Sequence, residues 1–174
     1  MIKQSFRFIL MISFAGLLML TSCQEDKKQQ LTDQINSLEK ILFENKKGVI
    51  DKKEAANMIY SYLQFVDTYP DDNKSPNYLF KAADVSINTF HSEESIKLFD
   101  RIIKDYPEYE KVPQALFLKA FTYENYLAEV DSARKYYQLF IEEYPNHAFS
   151  NDAQISLQNL GKTPEEIIRG FKEE

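Results

Sequence analysis

A spacing of apolar residues that suits one face of a helix occurs three times along the chain. In the last copy, apolar residues lie 4, 7, 8 and 11 positions after Ala133, and the copy ends at Tyr144-Pro145. Positions with these offsets share one side of an α-helix. Proline ends the helix because it lacks an N–H and disfavours the α region for the residue before it. The two earlier copies end in the same way, at Tyr69-Pro70 and Tyr106-Pro107.

The segment after each Tyr-Pro pair repeats as well. Pro76 and Pro113 each lie six residues after the proline that ends a helix, and Asn151 holds the same place in the third copy. A second helical pattern follows each of them, so the repeating unit is a pair of helices. The Tyr-Pro pairs are 37 and 38 residues apart. The sequence therefore predicts an all-α solenoid of about three and a half helix hairpins, stacked side by side.

Capping signals set the bounds of the predicted helices. A first helix is expected over residues 31–46, ending at Gly48. Asp51 and Glu54 have the spacing of a capping box and open the second helix. Ser92 is the expected N-cap of a later one. The other helices are predicted over residues 76–89, 93–105, 112–127, 131–143 and 150–159.

A short last helix is expected after Gly161. The segment Thr163-Pro164-Glu165-Glu166 provides an N-cap, a proline at the first helical position and a capping-box glutamate. The helix carries Ile167, Ile168 and Phe171. We expect it to cover the open end of the stack, because the terminal units of solenoids need a polar outer face.

The third hairpin resembles the tetratricopeptide repeat. Small and aromatic residues alternate over residues 115–123, and the second helix carries Ala133, Tyr137 and Pro145. The tryptophan and glycine of the family's first helix are replaced, and the period exceeds the usual 34 residues or so. The resemblance implies a fold of stacked helix hairpins and a role in protein binding.

The longer unit and its Tyr-Pro ending are also similar to lipoproteins of the Gram-negative envelope. The similarity covers about residues 51–160, with the segment 140–147 as its clearest part. It points to the outer-membrane protein assembly lipoprotein and to the periplasmic repeat protein that works with the Tol-Pal system. By analogy, it implies a scaffold or adaptor in outer-membrane assembly or maintenance.

Residues 1–22 have the organisation of a signal peptide. Lys3 and Arg7 precede an apolar run over residues 8–20, which is shorter than the ~20 residues that a membrane-spanning helix needs. The run ends at Leu20-Thr21-Ser22-Cys23, which resembles the lipobox of bacterial lipoproteins. This resemblance implies cleavage before Cys23 and lipidation of that cysteine. A plain secretory signal with a chance cysteine is the alternative.

The polar segment over residues 24–30 is predicted to be a tether between Cys23 and a helical domain over residues 31–174. Seven extended residues span about 25 Å, so that domain would lie close to the lipid headgroups. Glu25 and Asp26 resemble a signal that sends lipoproteins to the cell surface in some Gram-negative lineages. A solvated linker explains them equally well, which leaves the periplasmic face of the outer membrane and the cell surface as alternatives.

Charge and composition argue against several functions. Removal of the signal peptide takes away two basic residues and no acidic one from totals of 21 and 27, which leaves a net charge of about −8. An acidic domain repels phosphate backbones, so nucleic acid is not an expected partner. Cys23 is the only cysteine, His91 and His147 lie at predicted helix boundaries, and segment 71–73 lacks the glycine and glutamate of a calcium loop. We expect no enzyme activity, metal or cofactor.

The remaining candidate is a protein-binding face. In a tetratricopeptide stack the first helix of each hairpin, here called the A helix, lines a concave groove. The register set by Ala83 and Ala120 then identifies the candidate partner-binding residues. They are Asn77, Phe80, Asp84, Asn88, Gln114, Phe117, Phe121, Glu124 and Asn125. The phenylalanines could instead pack between hairpins.

The sequence therefore predicts a membrane-anchored scaffold or adaptor that binds another envelope protein or a peptide segment. The alternative is a surface-exposed accessory lipoprotein that helps to capture or process an external ligand.

Overall fold

The computed structural model describes residues 25–41, 51–89 and 91–173, with side chains described as far as residue 169. All regular structure in these ranges is α-helical. The helices are α1 (25–41), α2 (Lys52–Thr68), α3 (Ser75–Asn88), α4 (Ser92–Asp105), α5 (Val112–Asn125), α6 (Val130–Glu143), α7 (Ser150–Asn159) and α8 (Pro164–Glu173).

The helices pack in chain order. From α2 to α7, each helix packs against the next one along the chain. Helices α3 and α4 form one hairpin and α5 and α6 the next, while α7 takes the place of a further A helix. The predicted all-α stack of helix hairpins is confirmed. A stack of this kind gains its stability mainly from contacts between neighbouring units.

The predicted Tyr-Pro helix stops are confirmed in all three copies. Tyr69, Tyr106 and Tyr144 are the C-caps of α2, α4 and α6, with φ and ψ of −130° and 60°, −132° and 56°, and −129° and 54°. Each tyrosine N–H still donates to the carbonyl four residues earlier, at 2.8 to 3.0 Å. The backbone then leaves the α region, as expected for a residue before proline.

The turns that follow are also alike. The residue three positions after each tyrosine donates its N–H to the tyrosine carbonyl, at 3.0 to 3.1 Å. In two copies a serine at the start of the next helix adds a side-chain bond: Ser75 Oγ donates to the Tyr69 carbonyl and Ser150 Oγ to the Tyr144 carbonyl, at 2.5 and 2.6 Å. A serine therefore links the end of one hairpin to the beginning of the next.

The aromatic residue four positions into each repeated pattern lies in the core. Tyr62, Phe99 and Tyr137 are fully buried, on α2, α4 and α6. The buried side chains form two clusters, one from α1 to the first turn of α5 and the other from α5 to α7. Ile103 packs against both clusters, so the hairpin α3–α4 connects the two halves of the core.

The first helix begins earlier than predicted. Residues 25–30, expected to be an extended tether, are helical and continuous with α1. Gln, Lys and Glu are good helix formers even without an apolar face, and the Lys28 ammonium forms an ion pair with the Asp72 carboxylate. Thr32 is buried one turn later. The predicted end of this helix, near Gly48, lies outside the described residues.

One predicted cap is confirmed and one is wrong. Asp51 Oδ1 accepts the N–H groups of Lys53 and Glu54, at 2.9 and 3.1 Å, as an N-cap should. Ser92, predicted as the N-cap of α4, is instead the first helical residue, and His91 holds the cap position without a side-chain cap bond. Ser92 is buried, so packing rather than capping determines its role.

The last helix begins as predicted. Gly161 has the positive φ of 80° that favours glycine, and Thr163 and Glu166 exchange the two capping-box bonds at 2.8 and 3.3 Å. Ile168 is 55% exposed, so this apolar side chain does not pack in the core. The expected cover of the end of the stack by α8 stays a prediction.

We expect replacement of Phe99 by alanine to lower the free energy of unfolding by about 3 to 5 kcal/mol, from lost burial and from the cavity left behind. Lys97→Ala, on the exposed side of the same helix, should change it by less than about 0.5 kcal/mol. Equilibrium unfolding in urea measures both. A loss below about 1 kcal/mol for Phe99→Ala would contradict the central place of α4 in the core.

Candidate functional site

The candidate residues on α3 and α5 differ widely in their surroundings. Some of them pack in the core, some form hydrogen bonds with other helices or turns, and some are open to solvent. The structure therefore narrows the predicted binding face to a subset of the nine residues.

Phe80 and Phe117, predicted on the binding face, pack between helices instead. Phe80 is 8% exposed, and its ring centroid lies 6.2 Å from that of Phe99 and 6.5 Å from that of Tyr109. Phe117 is half-buried and stacks on Phe149 at 4.8 Å. Aromatic residues of the following helix or turn cover these positions, which the register of a single helix does not reveal.

Two of the polar candidates are hydrogen-bonded to tyrosines. Asn77 Oδ1 accepts the hydroxyl of Tyr109 at 3.2 Å, and Glu124 Oε2 accepts the hydroxyl of Tyr137 at 2.7 Å. Asn77 and Glu124 are both half-buried. Their first role is therefore to satisfy the hydroxyl groups of other elements, since buried polar atoms need a partner.

The remaining five candidates lie along α3 and α5. Asp84, Asn88 and Asn125 are exposed, and Gln114 and Phe121 are half-buried. The amide groups of Asn88 and Asn125 donate to the carbonyl four residues earlier on their own helices, at 2.9 and 3.1 Å. We call these five residues the A-helix strip.

Asp84 has an unusual environment within this strip. Desolvation by the surrounding helices raises the pKa of its carboxyl group above the usual value. A carboxylate that is partly desolvated interacts more strongly with a bound donor than one in bulk water.

Two hairpins share a tyrosine–glutamate pair. Tyr62 donates its hydroxyl to Glu39 Oε1 and Tyr137 donates to Glu124 Oε2, both at 2.7 Å. Burial and the hydrogen bond to the glutamate raise the pKa of both phenols, so they stay neutral and act as donors. The middle hairpin has Phe99 in place of the tyrosine, and there Ile87 occupies the position of the glutamate, four residues after the small A-helix residue. Hydroxyl and acceptor are thus present together or absent together.

Lys119 connects three successive helices. Its side chain is 4% exposed, its Nζ lies 2.5 Å from Asp100 Oδ1 on α4, and the same atom lies 3.7 Å from the centre of the Tyr136 ring on α6. Burial alone would lower the pKa of this ammonium, but the hydrogen bonds to Asp100 and Tyr136 outweigh burial and raise the pKa. The charge is therefore retained inside the stack and holds α4, α5 and α6 together.

The histidines have roles in loops, as predicted. His147 Nδ1 accepts the N–H of Phe149 at 3.2 Å, and His91 Nδ1 lies 3.2 Å from Thr89 Oγ1. Within the described residues, no three side chains of His, Cys, Asp or Glu are grouped so that they could hold a metal ion.

None of the helices described is both long enough and apolar enough to cross a bilayer.

Sequence reasoning missed the contacts between helices that do not follow from the repeat. The role of Lys119 could not be found from the repeat pattern, because the equivalent residue in the preceding A helix is Ala82. The tyrosine–glutamate pairs could have been found by aligning the hairpins. Glu124 occurs in the hairpin that has Tyr137, whereas Ile87 occurs in the hairpin that has Phe99. Such an alignment of one hairpin on the next shows which polar residues belong to the fold.

Comparison with protein families finds a tetratricopeptide repeat twice, over residues 78–109 and 114–147. The first match covers most of α3 and all of α4, and the second covers α5, α6 and the turn that follows. No curated protein matches the chain significantly. The two hairpins that carry the A-helix strip therefore match the tetratricopeptide repeat, a unit typical of protein-interaction scaffolds.

We expect the hydrogen bond between Tyr137 and Glu124 to stabilise the fold. Tyr137→Phe and Glu124→Ala should each lower the free energy of unfolding by about 1 to 3 kcal/mol, because each leaves a polar partner unpaired. The double variant should lose less than the sum of the two, with a coupling of about 1 kcal/mol or more.

Urea unfolding of the three variants measures this cycle. Gln138→Ala, at an exposed position beside Tyr137, is the matched control, and it should change the free energy of unfolding by less than about 0.5 kcal/mol. Strict additivity of the two single variants would show that the bond contributes nothing to folding.

Proposed function

We propose that this tetratricopeptide-repeat chain is a membrane-anchored scaffold of the bacterial cell envelope, which holds a partner protein at the outer membrane during its assembly or maintenance. The observation that carries the proposal is the A-helix strip, in which three exposed and two half-buried side chains lie on two matches to a protein-binding repeat.

The chemistry of the strip suits an extended peptide. The side-chain amides of Asn88, Gln114 and Asn125 can each donate and accept hydrogen bonds, which matches the alternating N–H and C=O groups of a peptide backbone. Phe121 offers a half-buried ring to an apolar side chain, and Asp84 offers a partly desolvated carboxylate. We infer that the partner segment binds in an extended form across α3 and α5.

The N-terminal sequence supports the anchor. Lipidation of Cys23, implied by the lipobox resemblance, would fix the chain to a membrane, since each buried CH₂ contributes about 0.8 kcal/mol and several acyl chains together anchor stably. Only Gln24 separates Cys23 from the first described helical residue, and one extended residue spans about 3.5 Å. The helical domain would then begin close to the lipid headgroups.

A second proposal places the same scaffold on the cell surface as an accessory protein that helps to capture or process an external ligand. It rests on Glu25 and Asp26, the acidic pair just after the cysteine. Protease treatment of intact cells separates the two placements. Loss of the domain without lysis supports the surface, and full protection supports the periplasmic face.

For the anchor, we expect the mature protein to begin at a lipid-modified Cys23. Mass spectrometry of the protein purified from membranes should find residues 1–22 absent and acyl chains on the N-terminal peptide. Cys23→Ser should abolish the modification and leave the protein out of the membrane fraction. An unmodified Cys23, or an N-terminus elsewhere, would refute the lipid anchor.

For the binding face, we expect a photo-crosslinking amino acid at position 88 or 125 to form an adduct with a partner in native membranes. The matched control is position 138, where Gln138 is exposed on α6, the second helix of its hairpin. Asn88→Ala and Asn125→Ala should weaken capture of the same partner while unfolding stays within about 0.5 kcal/mol.

Adducts at position 138 alone would move the binding site to the second helices of the hairpins. If both alanine variants captured the partner as well as the parent chain does, the A-helix strip would not be the binding site.

A further inference from the structure

A groove lies between two successive Tyr-Pro turns, at the edge of the stack. One wall is the turn over residues 70–76 and the other is the turn over residues 105–110, and the space between them is about 510 Å³. Two hydrogen bonds hold the walls together. The Tyr106 hydroxyl donates to the Pro70 carbonyl at 3.0 Å, and the Tyr109 hydroxyl donates to Asn77 at 3.2 Å. These two bonds hold the walls of the groove in place relative to each other.

The groove lining includes five prolines and tyrosines with apolar rings. They are Pro70, Pro76, Pro107, Tyr106 and Tyr109. Proline fixes φ, so the walls lose little conformational freedom when a ligand binds. Tyrosine faces attract cations and also pack well against aliphatic chains.

The rim of the groove is strongly acidic. Its carboxylates are Asp71, Asp72, Asp105, Glu108 and Glu110. Asp72 is neutralised by Lys28, and Asp105 has a long contact of 3.9 Å with Arg101. The other three form no ion pair within the described residues, and lysine and arginine are absent from the groove lining. The three carboxylates without an ion pair therefore disfavour an anionic ligand and attract a cation.

The chain already places a lysine against groups of this kind. The Lys28 ammonium pairs with Asp72, a residue of the rim, and lies 5.9 Å above the ring of Tyr69, the tyrosine of the preceding Tyr-Pro pair. A carboxylate and the tyrosine of a Tyr-Pro pair thus bind a lysine head group of the same chain. The rim carboxylates are not grouped as metal ligands, which favours an organic cation over a metal ion.

We propose that the groove between the two Tyr-Pro turns binds a lysine or arginine side chain on an extended segment of a partner protein. The aliphatic stem of such a side chain packs on the prolines and tyrosine rings, and its charged end reaches the carboxylates at the rim. The groove is a second contact surface, on the turns rather than on the A-helix strip. The experiment below does not depend on the A-helix strip, so the proposal for one surface can be refuted without refuting the other.

The experiment measures the binding of labelled hexalysine to the full chain in detergent, with hexa-N-acetyllysine as a probe of equal length without charge. We expect the acetylated peptide to bind at least about tenfold more weakly. Asp71→Asn/Glu108→Gln/Glu110→Gln should weaken hexalysine binding by at least about tenfold. Asp131→Asn/Glu142→Gln/Glu143→Gln, with the same change of charge on α6, should weaken it by less than about threefold.

All six substituted residues are exposed, so both triple variants should keep the unfolding transition of the parent chain. NMR shifts on titration with hexalysine should be largest for the backbone amides of residues 71–73 and 108–110. Equal losses in the two triple variants would overturn the proposal, because they would show general charge attraction. Equal binding of the two peptides, or shifts centred on the A-helix strip, would overturn it as well.

Discussion

The helix stop at each Tyr-Pro pair determines the geometry of the whole stack. The tyrosine N–H makes the last bond of the helix, and the proline prevents a further one, so the backbone leaves the α region at nearly the same angles each time. Because the turn is the same, each hairpin meets the next with a similar offset. Aromatic residues at equivalent positions, such as Tyr62 and Tyr137, then fall into equivalent core sites. A local rule repeated three times thereby produces a long-range arrangement.

The repeats are not interchangeable, and their differences are coupled. A buried tyrosine hydroxyl needs an acceptor, so Tyr137 occurs with Glu124, whereas Phe99 occurs with Ile87. A change to one member of such a pair would leave either a polar group unpaired or a charge beside an apolar ring. Lys119 adds a further constraint, since it places one charge among three helices. Each hairpin thus has its own set of compatible residues within a common frame.

Whether a feature could be predicted from the sequence depends on how far apart along the chain its interacting residues lie. The Tyr-Pro stops and the caps at Asp51 and Thr163 depend on residues within a few positions, and they could be predicted. The orientation of Phe80 depends on Tyr109, which is 29 positions away and belongs to the next turn. The start of α1 was missed for a similar reason, because a polar segment gives no periodic signal even when Asp72 of a distant turn fixes it through Lys28.

The two surfaces of the chain are joined through one hydrogen bond. Tyr109 lines the groove between the turns, and its hydroxyl is held by Asn77 at the beginning of α3, the helix that carries Asp84 and Asn88. The Tyr109 ring also packs against Phe80, a buried residue of α3. The groove and the A-helix strip thus share α3 as a common support, in a fold whose stability comes mainly from contacts between neighbouring units.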